Sequence, residues 1–431
     1  MRFGAHDVVE ATGGMLIGPD AAFDGVSYDT RTIRPGQLFV PLVADRDGHD
    51  FIPDALAAGA AGYLTERHAQ RGTAILVDDT LRALMGLATL IRTRFAGPVI
   101  GITGSVGKTS TKDLTLAAMS ASRRTWANER SLNNDFGLPT TVLNTPVDTQ
   151  VMIVEMGMRG PGEIARLCRI AQPTIGVVTR VAEAHSGLLG GLDGVANAKA
   201  ELLESLPAAG TAILNHDDAR VAAMASRTDA AVLRFGAQAG ADVRVSGIRL
   251  DAFARPSFEV ATPWGSVAVT LGFSGAHMAL NAAAALACVG VVGGDIAAGA
   301  AALAALQPSE RRMAVLTTSS GGVLIDDSYN ANPTSMRAGL DALAALTADD
   351  KIAVVGLMAE IDDPRTEHRA IAEYARQRGI SVIAVGTDLY GFEPVDDPLA
   401  AVGPIAHGRA VLVKGSLVAG LGAVAAALAQ A

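Results

Sequence analysis

The sequence predicts an α/β protein of three domains: a small α/β domain over residues 1–96, a central domain over 97–307 built on a parallel sheet, and a Rossmann-like domain over 308–431. Three observations carry that prediction. From Val99 onward, short β-branched runs alternate with helical stretches, the signature of a parallel sheet covered on both faces. A glycine-rich loop joins one of these runs to a helix at Gly101–Ser110. A second series of β-runs separated by helices follows residue 308 and is long enough for one further doubly wound domain.

The elements follow in order. In the first block Gly36–Val40 reads as a strand, and Ile52–Ala58 reads as a helix stopped by Gly59. The stretch Arg92–Pro98 breaks the pattern and ends the block. The central block opens on Val99–Thr103, a buried run, and continues into a helix from Lys108 to about Ser120. Val151–Val154 and Ile175–Thr179 are further strands, with a helix over Gly162–Ile170 between them. Val243–Leu271 alternates and is rich in turn residues, which predicts a small antiparallel insert. Ala279–Leu306 is rich in Ala and Gly but interrupted by Asn281 and Asp295, so it reads as a close-packed helix pair and not a membrane span. In the third block the strands are Val323–Ile325, Ile352–Val355, Val382–Val385 and Val411–Val413.

Composition narrows the function classes. Of 431 residues, 49% are hydrophobic and 18% charged, which provides several cores and excludes general disorder. The net charge of −9 argues against a general nucleic-acid or membrane-surface binder, so an anionic ligand must be held by local donors. The two cysteines, Cys168 and Cys288, build neither a disulfide framework nor a zinc site and read as buried free thiols. No apolar signal segment follows Met1, and a reducing, cytoplasmic setting is expected.

The strongest chemical signal is Gly101-Ile102-Thr103-Gly104-Ser105-Val106-Gly107-Lys108-Thr109-Ser110. Glycines allow a tight turn whose N–H groups converge on one anion at a helix N-terminus. Lys108 would reach the β- and γ-phosphates, and the Thr109 hydroxyl would bind Mg²⁺. The strict G-x-x-x-x-G-K spacing requires Gly at position 102, where Ile stands. Glu155 ends the next β-run, where an open parallel sheet places ligands, and its carboxylate could meet the metal. His185 follows the strand after that, and Lys199 lies on a helix downstream. Taken alone, each of these two reads more readily as a satisfied structural group than as a ligand.

Together these residues resemble the Mur ligase family, in which the glycine loop has the register G-x-x-G-x-x-G-K-T found here. Further strings resemble its F-type branch. These are Asp29-Thr30-Arg31, Pro35–Val40 and Asp47–Ile52 in the first domain, and Leu132–Pro139 with its Asn133–Asn134 pair. Gly275–Asn281, Ile325–Pro333 and Lys414-Gly415-Ser416 extend the match through nearly the whole chain. The resemblance implies an ATP-dependent ligase that adds D-alanyl-D-alanine to a UDP-N-acetylmuramoyl-tripeptide through an acyl phosphate, acting as a monomer. It implies that Gly104 to Ser110, Asn281, Arg312 and Asp327 bind the nucleotide. Thr30, Arg31, His49, Asn133, Asn134, Tyr329, Asn332, Lys414 and Ser416 would bind the other substrates. Two Mg²⁺ ions would be held by Thr109 and Glu155, and by His185 with a carbamylated Lys199.

The sequence also departs from the family. Arg180 and Met278 stand where the family usually has Asn, and Leu417 where it usually has Arg. Leu357 stands where an acidic or polar residue is common. These changes keep open a Mur-type ligase with another amine or carboxylate, for example in secondary metabolism. A nucleotide switch that makes no product is the alternative from another class. Asp362-Asp363-Pro364-Arg365 resembles a motif by which E-type ligases recognise their amino acid, but it follows the wrong strand and is read as chance.

Overall fold

The computed structural model describes residues 1–69, 71–129, 132–183, 189–307, 309–359 and 361–430, and among these the strands form three large sheets and one small pair. The first sheet has five strands in the order Met15–Ile17, Ala74–Leu76, Gly62–Thr65, Leu38–Phe39 and Val26–Ser27. All its pairings are parallel except that of Met15–Ile17. The helix Thr80–Arg92 covers it, and the periodicity explains why. Ala83, Leu84, Leu87, Ala88 and Ile91 recur at helical spacing and are buried, while Asp79 caps the N-terminus by accepting from Arg82 N at 2.8 Å. The helix ends at Arg92, only 6% exposed, whose guanidinium donates to Phe95 O at 2.8 Å and, across the domain seam, to Ala171 O at 2.6 Å and Gln172 O at 3.0 Å.

The central sheet has nine strands. Thr125–Ala127, Val151–Glu155, Val99–Thr103, Ile175–Val178, Thr211–Asn215, Ala231–Gly236 and Val243–Leu250 run parallel in that order. Pro256–Thr262 and Gly265–Thr270 then continue the same sheet antiparallel. The antiparallel character expected for 243–271 is present, but as an extension of the sheet edge and not a separate insert. Alternate residues Pro256, Phe258 and Val260 are buried, so one face of the extension packs and the other meets solvent.

The helix Lys108–Ser120 lies against this sheet and against the pair Met278–Val291 and Ile296–Ala305. Apart from Asn281, Met278–Val291 is apolar on every side, and its alanines let helices approach closely. Each fully buried Leu or Ile of the core, such as Leu114 or Leu286, stabilises by about 1.5–3 kcal/mol relative to exposure. Among the described residues no helix is long and apolar enough to cross a membrane. Cys168 and Cys288 are free and buried.

The third sheet runs Ala314–Thr317, Val323–Asp327, Arg409–Lys414, Asp350–Val355 and Ser381–Ala384, with only the first strand antiparallel. That edge strand has no counterpart in the sequence reading. Asp363 of the Asp-Asp-Pro-Arg string is a helix cap, accepting from Thr366 N at 3.1 Å ahead of Pro364–Arg376.

Candidate active site

A cleft of about 1110 Å³ opens between the central and third sheets, and its lining runs from Leu81, on the helix Thr80–Arg92, through the glycine loop to Lys414. Its floor is the C-terminal edge of the central parallel strands, the edge at which open α/β sheets take ligands.

The glycine loop is shaped by its neighbours. Gly104 has φ 151° and Gly107 φ 84°. A Cβ on Gly104 would sit 1.9 Å from Thr179 Oγ1. Thr179 is fixed there because its hydroxyl donates to Val106 O at 2.7 Å. Ser105 N donates to Arg180 O at 2.7 Å, tying the loop to the neighbouring strand end. The Ser105 hydroxyl is buried and has no hydrogen-bond partner among the described residues. Lys108 opens the helix and donates to Gly104 O at 2.7 Å. Desolvation pulls its ammonium below the usual lysine value, Glu155 opposes that pull, and Arg312 adds to it. An unpaired buried hydroxyl and an under-compensated ammonium suit an arriving polyanion.

Glu155 is 1% exposed and held on three sides. Thr109 Oγ1 donates to one carboxylate oxygen at 2.8 Å, Asn133 Nδ2 to the other at 2.7 Å, and the Glu155 N–H donates to Asn128 Oδ1 at 2.9 Å. Hydroxyl and carboxylate oxygens are hard donors that suit Mg²⁺, which is bound by few protein groups and completes its shell with water and phosphate. Among the described residues no cluster of three His, Cys, Asp or Glu forms a closed metal cage. Lys199, on the helix Leu192–Glu204, is 3% exposed. Burial lowers its pKa well below 10.5, and Lys108 lowers it further. His185 lies outside the described residues, as does Pro308, where the sequence reading opens the third domain.

The opposite wall comes from the third region. The Arg312 guanidinium stacks 4.1 Å from the centre of the Tyr329 ring. Asp327 pairs with Lys414, which is 1% exposed, and accepts from Met313 N at 3.1 Å. Lys414 also donates to Asn330 O at 3.0 Å. His277, of the central region, is pushed down to about 4 by desolvation, which Asp327 opposes and Lys414 reinforces.

The cleft thus gathers Gly104 to Ser110, Asn133, Asn134, Glu155, Lys199 and Asn281 on one side, and Arg312, Asp327, Tyr329, Asn332 and Lys414 on the other. Several of these also serve the fold. Asn332 caps Pro333–Ala345 through Ser335 N at 2.9 Å, Asn134 accepts from Gly137 N at 3.0 Å, and Asn281 donates to Met278 Sδ at 3.4 Å.

Thr30, Arg31, His49 and Ser416 are not in the cleft wall. Thr30 and Arg31 sit in a turn where Arg31 is occupied by Asp29, Nε to Oδ1 at 2.9 Å and a second nitrogen to Oδ2 at 2.6 Å. His49 is 3% exposed, with Nδ1 2.7 Å from Asp47 Oδ1 and Nε2 accepting from Glu66 N at 3.1 Å, so both ring nitrogens hold the local fold. Ser416 accepts from Ala359 N at 2.9 Å and donates to Ala331 O at 3.3 Å, bracing two loops. The sequence reading did not find Thr179, Asn128 or His277. Thr179 and Asn128 act at strand ends that carry no motif, whereas His277 lay inside a quoted string and was passed over.

A parallel sheet ending in a phosphate loop, a buried hydroxyl–carboxylate pair beside it and a third domain facing both define a nucleotide-dependent ligase of the Mur type. Residues 102–289 match the Mur ligase middle domain and residues 311–431 the Mur ligase glutamate ligase domain; the chain belongs to the Mur ligase family. Among its relatives is the UDP-N-acetylmuramoyl-tripeptide–D-alanyl-D-alanine ligase of Mycobacterium tuberculosis (strain ATCC 25618 / H37Rv), 40% identical over 84% of this chain and 77% of the relative. The enzyme of the same name from Escherichia coli (strain K12) is 36% identical over 86% of this chain and 83% of its own. Two solved structures are similar. One is MurF from Acinetobacter baumannii, with a TM-score of 0.86 and 28% identity over 99% of both chains. The other is MurF from Thermotoga maritima in complex with ADP, with a TM-score of 0.80 and 26% identity over 94% of this chain and 96% of that one. Ligase relatives of this closeness set aside the nucleotide-switch alternative.

Proposed function

We propose that this chain joins D-alanyl-D-alanine to UDP-N-acetylmuramoyl-tripeptide at the expense of ATP, in the building of peptidoglycan precursors. The observation that carries the reading is the single cleft in which a phosphate loop, a buried metal-type carboxylate and a facing third domain converge. A carboxylate does not accept an amine directly, because oxide is too poor a leaving group. Phosphoryl transfer to the acid gives an acyl phosphate, and the amine then displaces phosphate. Such transfer is catalysed mainly by positioning and charge neutralisation.

Lys108 and the loop N–H groups would hold and neutralise the transferring phosphoryl group, and Arg312 would meet the phosphates from across the cleft. Thr109 and Glu155 would hold one Mg²⁺, and His185 with Lys199 would help hold a second; when bound, the ions supply charge neutralisation. Burial that lowers the Lys199 pKa favours the neutral amine, the form that reacts with carbon dioxide, which suits carbamylation of Lys199. Asn281 would face adenine, and Asp327 the ribose. The division into 1–96 for the UDP-linked acid, 97–307 for ATP and 308–431 for the amine belongs to this proposal, together with a monomer working in the cytoplasm.

The test is phosphate release with UDP-muramoyl peptides that differ at the third residue, each paired with a panel of dipeptides. Release that requires both the tripeptide and D-alanyl-D-alanine is expected. Release without any amine, or better turnover with another amine, would overturn the assignment. One observation favours a second reading with a different amine: Leu417, where the family usually has Arg, is 56% exposed just past Lys414-Gly415-Ser416.

A further inference from the structure

The third region is joined to the central one through a short turn at residues 309–313, and that turn is unusual. Arg311 has φ 59° and Met313 φ 53°. Both lie in the left-handed region that L-residues other than Asn and Asp rarely enter. Between them stands Arg312, whose guanidinium covers Tyr329 at 4.1 Å. A conformation of this kind persists only where its surroundings over-determine it. Here they do so from both sides. On the third-domain side, Tyr329 N donates to Arg311 O at 3.1 Å and Met313 N to Asp327 Oδ1 at 3.1 Å. On the central side, the Ser309 hydroxyl donates to Asp113 Oδ2, while Arg312 N donates to Ser309 O at 3.2 Å.

Asp113 belongs to the helix that Lys108 opens. Its other oxygen is 3.0 Å from Lys112 Nζ, and Lys112 in turn donates to Asn128 O at 2.9 Å. Asn128 Oδ1 accepts from Glu155 N at 2.9 Å. A polar chain therefore runs from the interdomain turn, through the phosphate-loop helix and Asn128, to the backbone N–H of Glu155. Neither Asp113 nor Ser309 lines the main cleft; both face a small cavity beside Arg312.

We infer that Ser309 and Asp113 are positioning residues: their hydrogen bond holds the left-handed turn so that Arg312 is presented to the nucleotide phosphates. The link ties the seat of the third domain to the helix that carries the phosphate lysine. This inference rests on the proposed nucleotide site and adds two residues that touch no substrate.

The test is direct binding of ATP and ADP, in the presence of Mg²⁺, to the full chain and to Ser309→Ala, Ser309→Thr, Arg312→Ala and the double variant Ser309→Ala/Arg312→Ala, with KM for ATP and kcat measured alongside. A hydrogen bond to a charged group is lost in Ser309→Ala, so ATP affinity should fall about tenfold and KM for ATP should rise with it. Ser309→Thr, which keeps the hydroxyl, should stay within about threefold of wild type. In the double variant the loss should match that of Arg312→Ala alone, because Ser309 acts through that residue. Wild-type affinity in Ser309→Ala, or losses that add in full in the double variant, would overturn the inference while leaving the nucleotide site intact. A wild-type chain that binds neither nucleotide would overturn the proposed site itself, and the inference with it.

Discussion

Replacing Glu155 separates its two duties, and the structure sets the expected size of each. The side chain accepts from Thr109 Oγ1 at 2.8 Å and Asn133 Nδ2 at 2.7 Å, and it is 1% exposed. Glu155→Ala removes both acceptors, at about 1–3 kcal/mol for each donor left unsatisfied. Thr109 and Asn133 both border the cleft, so water can partly replace the lost acceptor. That places the destabilisation at the lower end, about 2–3 kcal/mol in all. Glu155→Gln keeps an acceptor for Asn133 and offers its amide N–H to the Thr109 oxygen, so stability should change by less than about 1 kcal/mol. Its charge is gone, however. Charge stabilisation in a dry site is typically worth ~100–1000-fold in kcat, and a loss of that size is expected for the Gln variant. Fluorescence-detected unfolding reads the first effect, because Trp126 and Trp264 both belong to the central region. Phosphate release at varied Mg²⁺ reads the second. A Gln variant within tenfold of wild-type kcat, or one that unfolds as easily as the Ala variant, would refute the reasoning.

Three further outcomes are expected. Lys199→Met should stabilise the chain near neutral pH in carbon dioxide-free buffer. Lys199 has its pKa lowered from 10.5 by burial, so the unfolded chain binds more protons and wild-type stability climbs with pH between the two values, by about 1.4 kcal/mol per pH unit. The advantage of the Met variant should therefore shrink toward pH 10.5 in thermal melts, and a variant less stable at every pH would contradict the burial argument. Gly104→Ala should lose nucleotide binding, since its Cβ would lie 1.9 Å from a Thr179 oxygen that is itself fixed; unchanged ADP affinity in a titration would show that the loop can shift. Asp327→Asn should destabilise the third domain by about 3–5 kcal/mol, because Lys414, 1% exposed, keeps its charge without a charged partner; a wild-type midpoint in limited proteolysis would count against it.

Much of the candidate site was legible because phosphate chemistry constrains residue type and spacing together. Gly104, Gly107 and Lys108 must follow a strand and open a helix, and Lys108–Ser120 begins where the motif requires. Strand runs such as Val151–Val154 stood out because buried parallel strands are near-continuous apolar runs. What stayed hidden depended on tertiary partners. Thr179 looked like the last residue of a strand, and only the fold brings its hydroxyl under the loop. Asn128 gave no signal, since a buried asparagine is recognised by what it holds. His49 and Ser416 enter by resemblance alone, and that their polar atoms hold loops is visible only in the fold. The edge strand Ala314–Thr317 is short and partly exposed, too weak a pattern to separate from a turn.

Arg92 has a consequence for how the molecule can move. A planar guanidinium that bonds carbonyls on both sides of a seam, Phe95 O on one and Ala171 O and Gln172 O on the other, permits little sliding between them. In the proposed reaction the first two regions would then travel as one piece, holding the acid and the nucleotide at a fixed mutual distance. The freedom needed to admit an amine and release a product would be left to the far side of the cleft.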